Sequence, residues 1–415
     1  MRAYFDHAAT HPIQPEVLAA YTRELERIGN PSALHTDGQA ARLAMEDARR
    51  TLAGLLHCDP SEVIFTSGGT EADNQALKGL WWSRNDGARH TPVPGRPGTF
   101  TVELPRPRLL VSTIEHHAVI ETAQWLETQG AEVVWLPVDA AGRLDLDAYA
   151  AALDEAPERT ALVSVMLANN EVGTIQPIAR IAQLAHAHGI PVHTDAVQAF
   201  GQIPVDFAEL GVDALSISGH KIGAPVGVGA LILGRNLKPV PVLHGGGQER
   251  QIRSGTLNVP AAVAFATAAR LALADVDERA GHLSGLRDRL IAGVEAAVPT
   301  AHLSGARGAQ RLPGNVHFVF DGCEGDSLLF LLDFAGFDTS TGSACQAGVN
   351  RPSHVLMMMG RDEDAARSTQ RFSLGMETTV ADVDRLIEVL PQVVAQAGKA
   401  GMVSATPAWM RDALN

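Results

Sequence analysis

Apolar positions along the chain follow two rhythms. Residues 15–28 bring Val17, Tyr21, Leu25 and Ile28 to one face at helical spacing, and residues 39–57 do the same with Leu43, Ala44, Ala48, Leu52 and Leu55. Beyond them, short apolar runs alternate with amphipathic stretches. Residues 63–66 read as a strand. The helix after it places Ala72, Ala76, Leu77 and Leu80 on one face, with Thr70 positioned to cap it. Residues 162–167 read as a second strand, followed by the polar loop NNEVGTIQ and a helix that Pro177 opens and Gly189 closes. Residues 190–194 return as a strand. Such βαβ units in series predict a mostly parallel sheet with helices on both faces.

One segment breaks the rhythm. Residues 83–108 hold five prolines and three glycines, which predicts an exposed insertion. A second boundary falls near Pro260, where a long Ala- and Leu-rich helical stretch (261–298) begins, with a strand at 316–320. At 415 residues the chain is long enough for two domains.

Composition narrows the function classes. The formal net charge of -14 disfavours general binding to nucleic acid or to an anionic membrane. No uncharged apolar stretch reaches the roughly 18 residues of a spanning helix, and no signal peptide is visible, so a cytoplasmic protein is expected. Three cysteines, Cys58, Cys323 and Cys345, are too few and odd in number for a disulfide framework.

Ligands of open α/β sheets bind beyond the carboxyl ends of the strands, so four loops there carry the candidate chemistry. In SGGTEADN (67–74), Gly68 and Gly69 permit close backbone approach to an anion, and Thr70 with the helix N–H groups suits a phosphate. A plain turn explains the same residues. In EHH (115–117), a histidine could stack on an aromatic cofactor, shuttle a proton or simply be a surface residue. In HTDAVQ (193–198), Asp195 suits a protonated pyridine nitrogen, and equally a helix N-cap. In SISGHKIG, Lys221 lies between two apolar strands, where partial burial would lower its pKa and free a neutral amine. A solvated loop lysine is the ordinary alternative. Cys345 sits in GSACQAG, a Gly- and Ser-bearing stretch without apolar periodicity, which predicts a mobile loop and a reactive thiol.

These strings, in this order, resemble the cysteine desulfurases, fold-type I pyridoxal phosphate (PLP) enzymes of the class V aminotransferase family. The resemblance also includes DHAATHP (6–12), NPSALH (30–35), NNEVG (169–173), SGHK (218–221), RSGTLN (253–258), TGSAC (341–345) and RFSLG (371–375). It implies a PLP-binding domain over 15–259, with a mostly parallel sheet flanked by helices. It further implies a smaller α+β domain formed by 1–14 and 260–396, carrying the cysteine loop, and a C-terminal tail at 397–415. It makes Lys221 the Schiff-base lysine, Asp195 the partner of the pyridine nitrogen, Gln198 that of the ring hydroxyl and His116 the stacking residue. Gly69, Thr70, Ser218 and His220 would hold the phosphate. Thr256 would reach the phosphate of a partner subunit in a homodimer. Asn170 and Arg371 would orient the substrate carboxylate, and Cys345 would accept the sulfur.

The implied reaction converts L-cysteine to L-alanine, leaving a persulfide on Cys345 for an acceptor such as an iron–sulfur scaffold or thiouridine enzyme. No metal is implied. Selenocysteine lyase and cysteine sulfinate desulfinase are the neighbouring alternatives. A non-catalytic scaffold is the alternative from another class, against which Lys221, Asp195 and Cys345 all count. The insertion is longer than the family usually has there. The methionines at 357–359 have no functional account beyond flexible packing.

Overall fold

The computed structural model describes residues 2–92, 100–343 and 351–404. A seven-stranded sheet forms from β1 (Val63–Thr66), β2 (Arg108–Ser112), β3 (Glu132–Leu136), β4 (Thr160–Ser164), β5 (Val192–Asp195), β6 (Ala214–Ser218) and β7 (Gly229–Leu233), in the order β1-β7-β6-β5-β4-β2-β3. β7 runs antiparallel to both its neighbours, and the other pairs are parallel. Every residue of β1, β2 and β4 to β7 is buried. That follows from helices on both faces, which remove the need for a polar side.

On one face lie α1 (Pro15–Leu25), α2 (Thr36–Leu55), α5 (Leu146–Glu155), α6 (Ile178–His186) and α7 (Val259–Leu273). On the other lie α3 (Gly69–Arg84) and α4 (His117–Glu127). Ala72, Ala76, Leu77 and Leu80 of α3 are buried as the periodicity predicts. α1 and α2 differ from it. Their buried stripes are Val17, Ala20 and Glu24, and Ala41, Met45, Ala48 and Leu52. Leu25, Ile28 and Leu43 are exposed.

A second core surrounds the antiparallel sheet of β8 (Ala301–Leu303), β9 (Asn315–Phe320) and β10 (Thr369–Ser373). Packed on it are α8 (Val276–Ala297), α9 (Gly325–Phe334) and α10 (Val380–Ser404), together with Ala3 and Phe5. The core changes later than Pro260. α7 packs in the first core and only α8 in the second, across a 68° bend. The apolar stretch looks continuous in sequence because both helices bury alanine and leucine. The tail also starts later than 397, since α10 continues to Ser404 and Ala397 is fully buried. No single helix among the described residues is long and apolar enough to cross a membrane.

The segment at 83–108 is not all insertion. α3 runs through Arg84, and β2 begins at Arg108. Between them Arg89–Pro92 pairs antiparallel with Phe100–Glu103 in a separate two-stranded sheet. Its stem is clasped. Asn85 is buried and bonds the backbone of Trp81 and Arg106, while Trp81 Nε1 donates to the Pro107 carbonyl at 3.1 Å. Proline density hid this clasp, in which the Asn85 and Trp81 side chains bond backbone groups distant in sequence. Replacing residues 89–103 by a short Gly/Ser link is expected to change stability by no more than about 0.5 kcal/mol. Deleting 83–108 orphans the buried ends and lowers the melting temperature sharply, as thermal denaturation of the two variants would show.

Candidate active site

The loops after β1, β2, β4, β5 and β6 converge on one cavity of about 460 Å³. Ala8 and Ala9 from the N-terminal segment close one side, and Ser340, Gly342, Ser343 and Arg371 close another.

Lys221 lies in the single turn Gly219–Ile222 that follows β6, and Gly223 ends that turn at φ 83°. The lysine Nζ donates to the carbonyls of Ala8 (2.6 Å) and Ala9 (3.0 Å). Gln198 Nε2 donates to the same Ala8 oxygen at 2.9 Å, so one backbone carbonyl positions both side chains. Burial, with Arg371 adding to it, lowers the Lys221 amine to about 8. The rate at which this amine couples to an aldehyde therefore rises with pH through about 8, where the neutral form appears, rather than through 10.5. Reconstituting cofactor-free protein across a pH series checks the midpoint.

Asp195 ends β5 and is buried. One of its oxygens accepts from Val197 N at 2.8 Å, and no Lys or Arg among the described residues forms an ion pair with it. No helix starts here, so Asp195 is not an N-cap: one oxygen serves the turn at 197–199 and the other is free for a cation. His116 caps α4, its Nδ1 accepting from Ala118 N at 3.1 Å. That bond leaves the ring proton on Nε2. Burial, then Lys221, lowers this imidazole to about 4, so it is neutral at pH 7.

Thr70 does not cap α3. The N-cap is Gly68, at φ 153°, which has no side chain with which to cap the helix. A Cβ on Gly69 would lie 2.7 Å from Val197 Cγ2 in the loop after β5, so a larger residue would have to displace that side chain. An uncapped helix start offers backbone donors and a positive dipole end to an anion. Gly69, Thr70, Ser218 and His220 line the cavity at this end.

Arg371, on β10, donates through Nη1 to the Asn170 carbonyl (2.9 Å) and through Nη2 to Asp6 (2.8 Å). Its Nε is buried without a hydrogen-bond partner. Of the asparagine pair, Asn169 is structural, its Oδ1 accepting from Glu171 N and Val172 N, while Asn170 lines the cavity.

Ten of the twelve predicted site residues therefore meet here. Thr256 is exposed and does not line the cavity, and Cys345 lies outside the described residues. The other cysteines are unsuited to nucleophilic work. Burial pushes the Cys58 thiol up to about 12 and raises that of Cys323. Sequence reasoning assigned no role to Asp6, Asp73, Met166 or Ser340, nor to the carbonyls of Ala8 and Ala9. Asp6, Asp73 and both alanines stand inside strings that carry the resemblance, which is the signal that could have found them.

The donor set fits pyridoxal phosphate. An uncapped helix start suits the phosphate, a buried carboxylate without a cation suits the ring nitrogen, and an amine of lowered pKa suits the aldehyde.

The sequence model of the aminotransferase class-V family matches residues 3–90 and 103–386. An IscS-like cysteine desulfurase of Mycobacterium tuberculosis is 50% identical over 404 residues, 97% of this chain and 99% of the relative. The chain belongs to the cysteine desulfurases of the aminotransferase class-V family. Cysteine desulfurase IscS of Methanosarcina thermophila is 43% identical over 94% of this chain and 91% of its own. Among solved structures, a NifS-like protein superposes with a TM-score of 0.84 at 34% identity, covering 95% of this chain and 100% of that one. SspA in complex with cysteine gives 0.73 at 32% identity, covering 90% and 99%. As a family member the chain uses pyridoxal phosphate. The family match passes over residues 91–102, which supports placing the insertion there and not across 83–108.

Proposed function

We propose that this cavity converts L-cysteine to L-alanine and passes the sulfur to Cys345. The observation that carries this is the placement of Lys221, its amine near neutrality, in one cavity with Asp195 and Arg371. When bound, pyridoxal phosphate supplies an electron sink for charge developing at the substrate Cα. Asp195 would hold the proton on the ring nitrogen, Gln198 would bond the ring hydroxyl, and Gly69, Thr70, Ser218 and His220 would hold the phosphate. The free Nε of Arg371, with Asn170, orients the substrate carboxylate. Lys221 Nζ would take the Cα proton, and His116, which lines the same cavity, would relay a proton through Nε2. The Cys345 thiolate attacks the substrate sulfur. The C–S bond breaks, an S–S bond forms, and protons return to carbon, so cysteine and thiol balance as alanine and persulfide.

A homodimer completes the site in this account, with Thr256 reaching the partner's phosphate. The exposed apolar side chains of Leu18, Leu25, Ile28 and Leu34 support it. The persulfide then passes to an acceptor protein such as an iron–sulfur scaffold or thiouridine enzyme. The acidic charge and few cysteines support a cytoplasmic reading. That SspA was solved with cysteine supports the substrate. Purified protein incubated with L-cysteine and a thiol reductant is expected to form alanine and sulfide in equal amounts while sedimenting as a dimer. Sulfide with pyruvate instead of alanine, or an active monomer, would contradict the proposal.

A further inference from the structure

The sheet face beneath the cavity carries polar residues that the chemistry above does not use. Ser164 on β4, His193 on β5 and Ser216 on β6 lie side by side, and Asp73 of α3 packs over them. The first three are fully buried and Asp73 is 1% exposed. Ser164 Oγ is 2.9 Å from His193 Nδ1. His193 Nε2 is 3.0 Å from Ser216 Oγ and 3.5 Å from Asp73 Oδ1. Asp73 also bonds Ser216, yet its Oδ1 has no hydrogen-bond partner. Asp195 lies two residues beyond His193 on β5 and so points to the same face, and it lines the cavity together with Asp73.

Two buried carboxyl groups thus share a water-poor site. Among the described residues no Lys or Arg pairs with either. His193 offers no charge, since burial lowers its imidazole to about 3. An unpaired buried charge costs several kcal/mol and a second like charge beside it costs more, so one proton stays on the pair. The surroundings say which carboxyl keeps it. Burial raises the Asp195 carboxyl to about 6, and the backbone N–H it accepts and nearby Lys221 act against that rise and favour its anion. Asp73 is opposed by burial, then by Asp195, and also by Glu115, another fully buried acid, outweighing its bond to Ser216.

We propose that Asp73 is a positioning residue carried as the neutral acid, its place fixed by the Ser216–His193–Ser164 chain, so that Asp195 is the single negative charge beneath the cavity. This rests on Asp195 being the partner of the cofactor's ring nitrogen. It explains why α3 can lay an acid beside that charge without displacing it: a protonated carboxyl is a packing and hydrogen-bonding group, not a competitor for the cation.

The test uses full-length protein with carbon-labelled aspartate, whose protonated carboxyl gives an infrared carbonyl band distinct from that of the carboxylate. At pH 7 the wild-type protein is expected to show the band, and Asp73→Asn, checked for folding by circular dichroism, to lose it. If Asp73→Asn does not fold, persistence of the band in wild type at pH 7 is read instead, and its absence overturns the proposal. In the folded variant with cofactor bound, one neutral group replaces another. The pH midpoint of the visible absorbance should then stay within about 0.3 unit. A shift of about one unit or more, the size expected for removing a nearby charge, overturns it, as does an unchanged infrared band. Asp195→Asn separates the underlying reading. It should weaken cofactor retention at least tenfold while the Asp73 band remains; unchanged retention would refute the role of Asp195 but not the protonation of Asp73.

Discussion

Lys221→Ala is expected to fold, to hold no covalently attached cofactor and to lose cysteine desulfuration by roughly a thousandfold or more. The fold should survive because Ala8 O keeps its bond from Gln198 and the turn Gly219–Ile222 is fixed by backbone bonds. No other amine can take over. The chain has four lysines, and Lys78, Lys238 and Lys399 do not line the cavity. Lys78 is engaged elsewhere, its Nζ lying 4.4 Å from the centre of the Trp125 ring. Borohydride treatment followed by peptide mapping reads attachment, and alanine release reads turnover. A reducible bond to another lysine, or activity within tenfold of wild type, would show that the amine at Ala8 and Ala9 is not the working one.

Cys345→Ser is expected to bind cofactor and cysteine as wild type does, to form no persulfide and to release alanine at least about a hundredfold more slowly. Two jobs separate here. Lys221, Asp195 and His116 manage the proton and charge at carbon, and none of them needs Cys345. Breaking the C–S bond needs an acceptor for sulfur. A serine hydroxyl is far weaker than a thiol that is already partly ionised at neutral pH. Neither Cys58 nor Cys323 can substitute, since burial suppresses both thiolates and neither lines the cavity. With selenocysteine the block should be weaker, because selenium leaves more readily. If the variant keeps most of its cysteine-to-alanine activity, the selenocysteine or sulfinate lyase reading becomes the better one.

The parallel sheet was legible because its strands are short apolar runs closed by turn residues and separated by helical periodicity. β1, β9 and the α6–β5 unit stand within a few residues of their expected places. The faces of α1 and α2 were less legible. Their pattern mixes two apolar stripes, one buried in this chain and one carrying Leu25, Ile28 and Leu43 at the surface. Periodicity finds apolar positions but not which neighbour covers them. Lys221, Asp195, His116, Gln198 and Arg371 were found through the strings that hold them. Composition alone leaves each with an ordinary structural role. Asp6 and Asp73 escaped for a different reason. Each acts through a partner distant in sequence, Arg371 for Asp6 and the β5–β6 polar stripe for Asp73, and such pairings exist only once the chain is folded. The stem of the two-stranded sheet escaped because its clasp uses backbone carbonyls, which every residue has.

The central claim is that sulfur leaves cysteine at this cavity and arrives on Cys345. Its most direct measurement is peptide mass spectrometry of the protein after a brief incubation with L-cysteine, with free thiols and persulfides trapped by alkylation and alanine quantified in the same sample. The account predicts one added sulfur on the peptide containing Cys345, none on those containing Cys58 or Cys323, and one alanine per sulfur gained. Alanine formed with the added sulfur on another cysteine, or with no protein-bound sulfur at all, would contradict it.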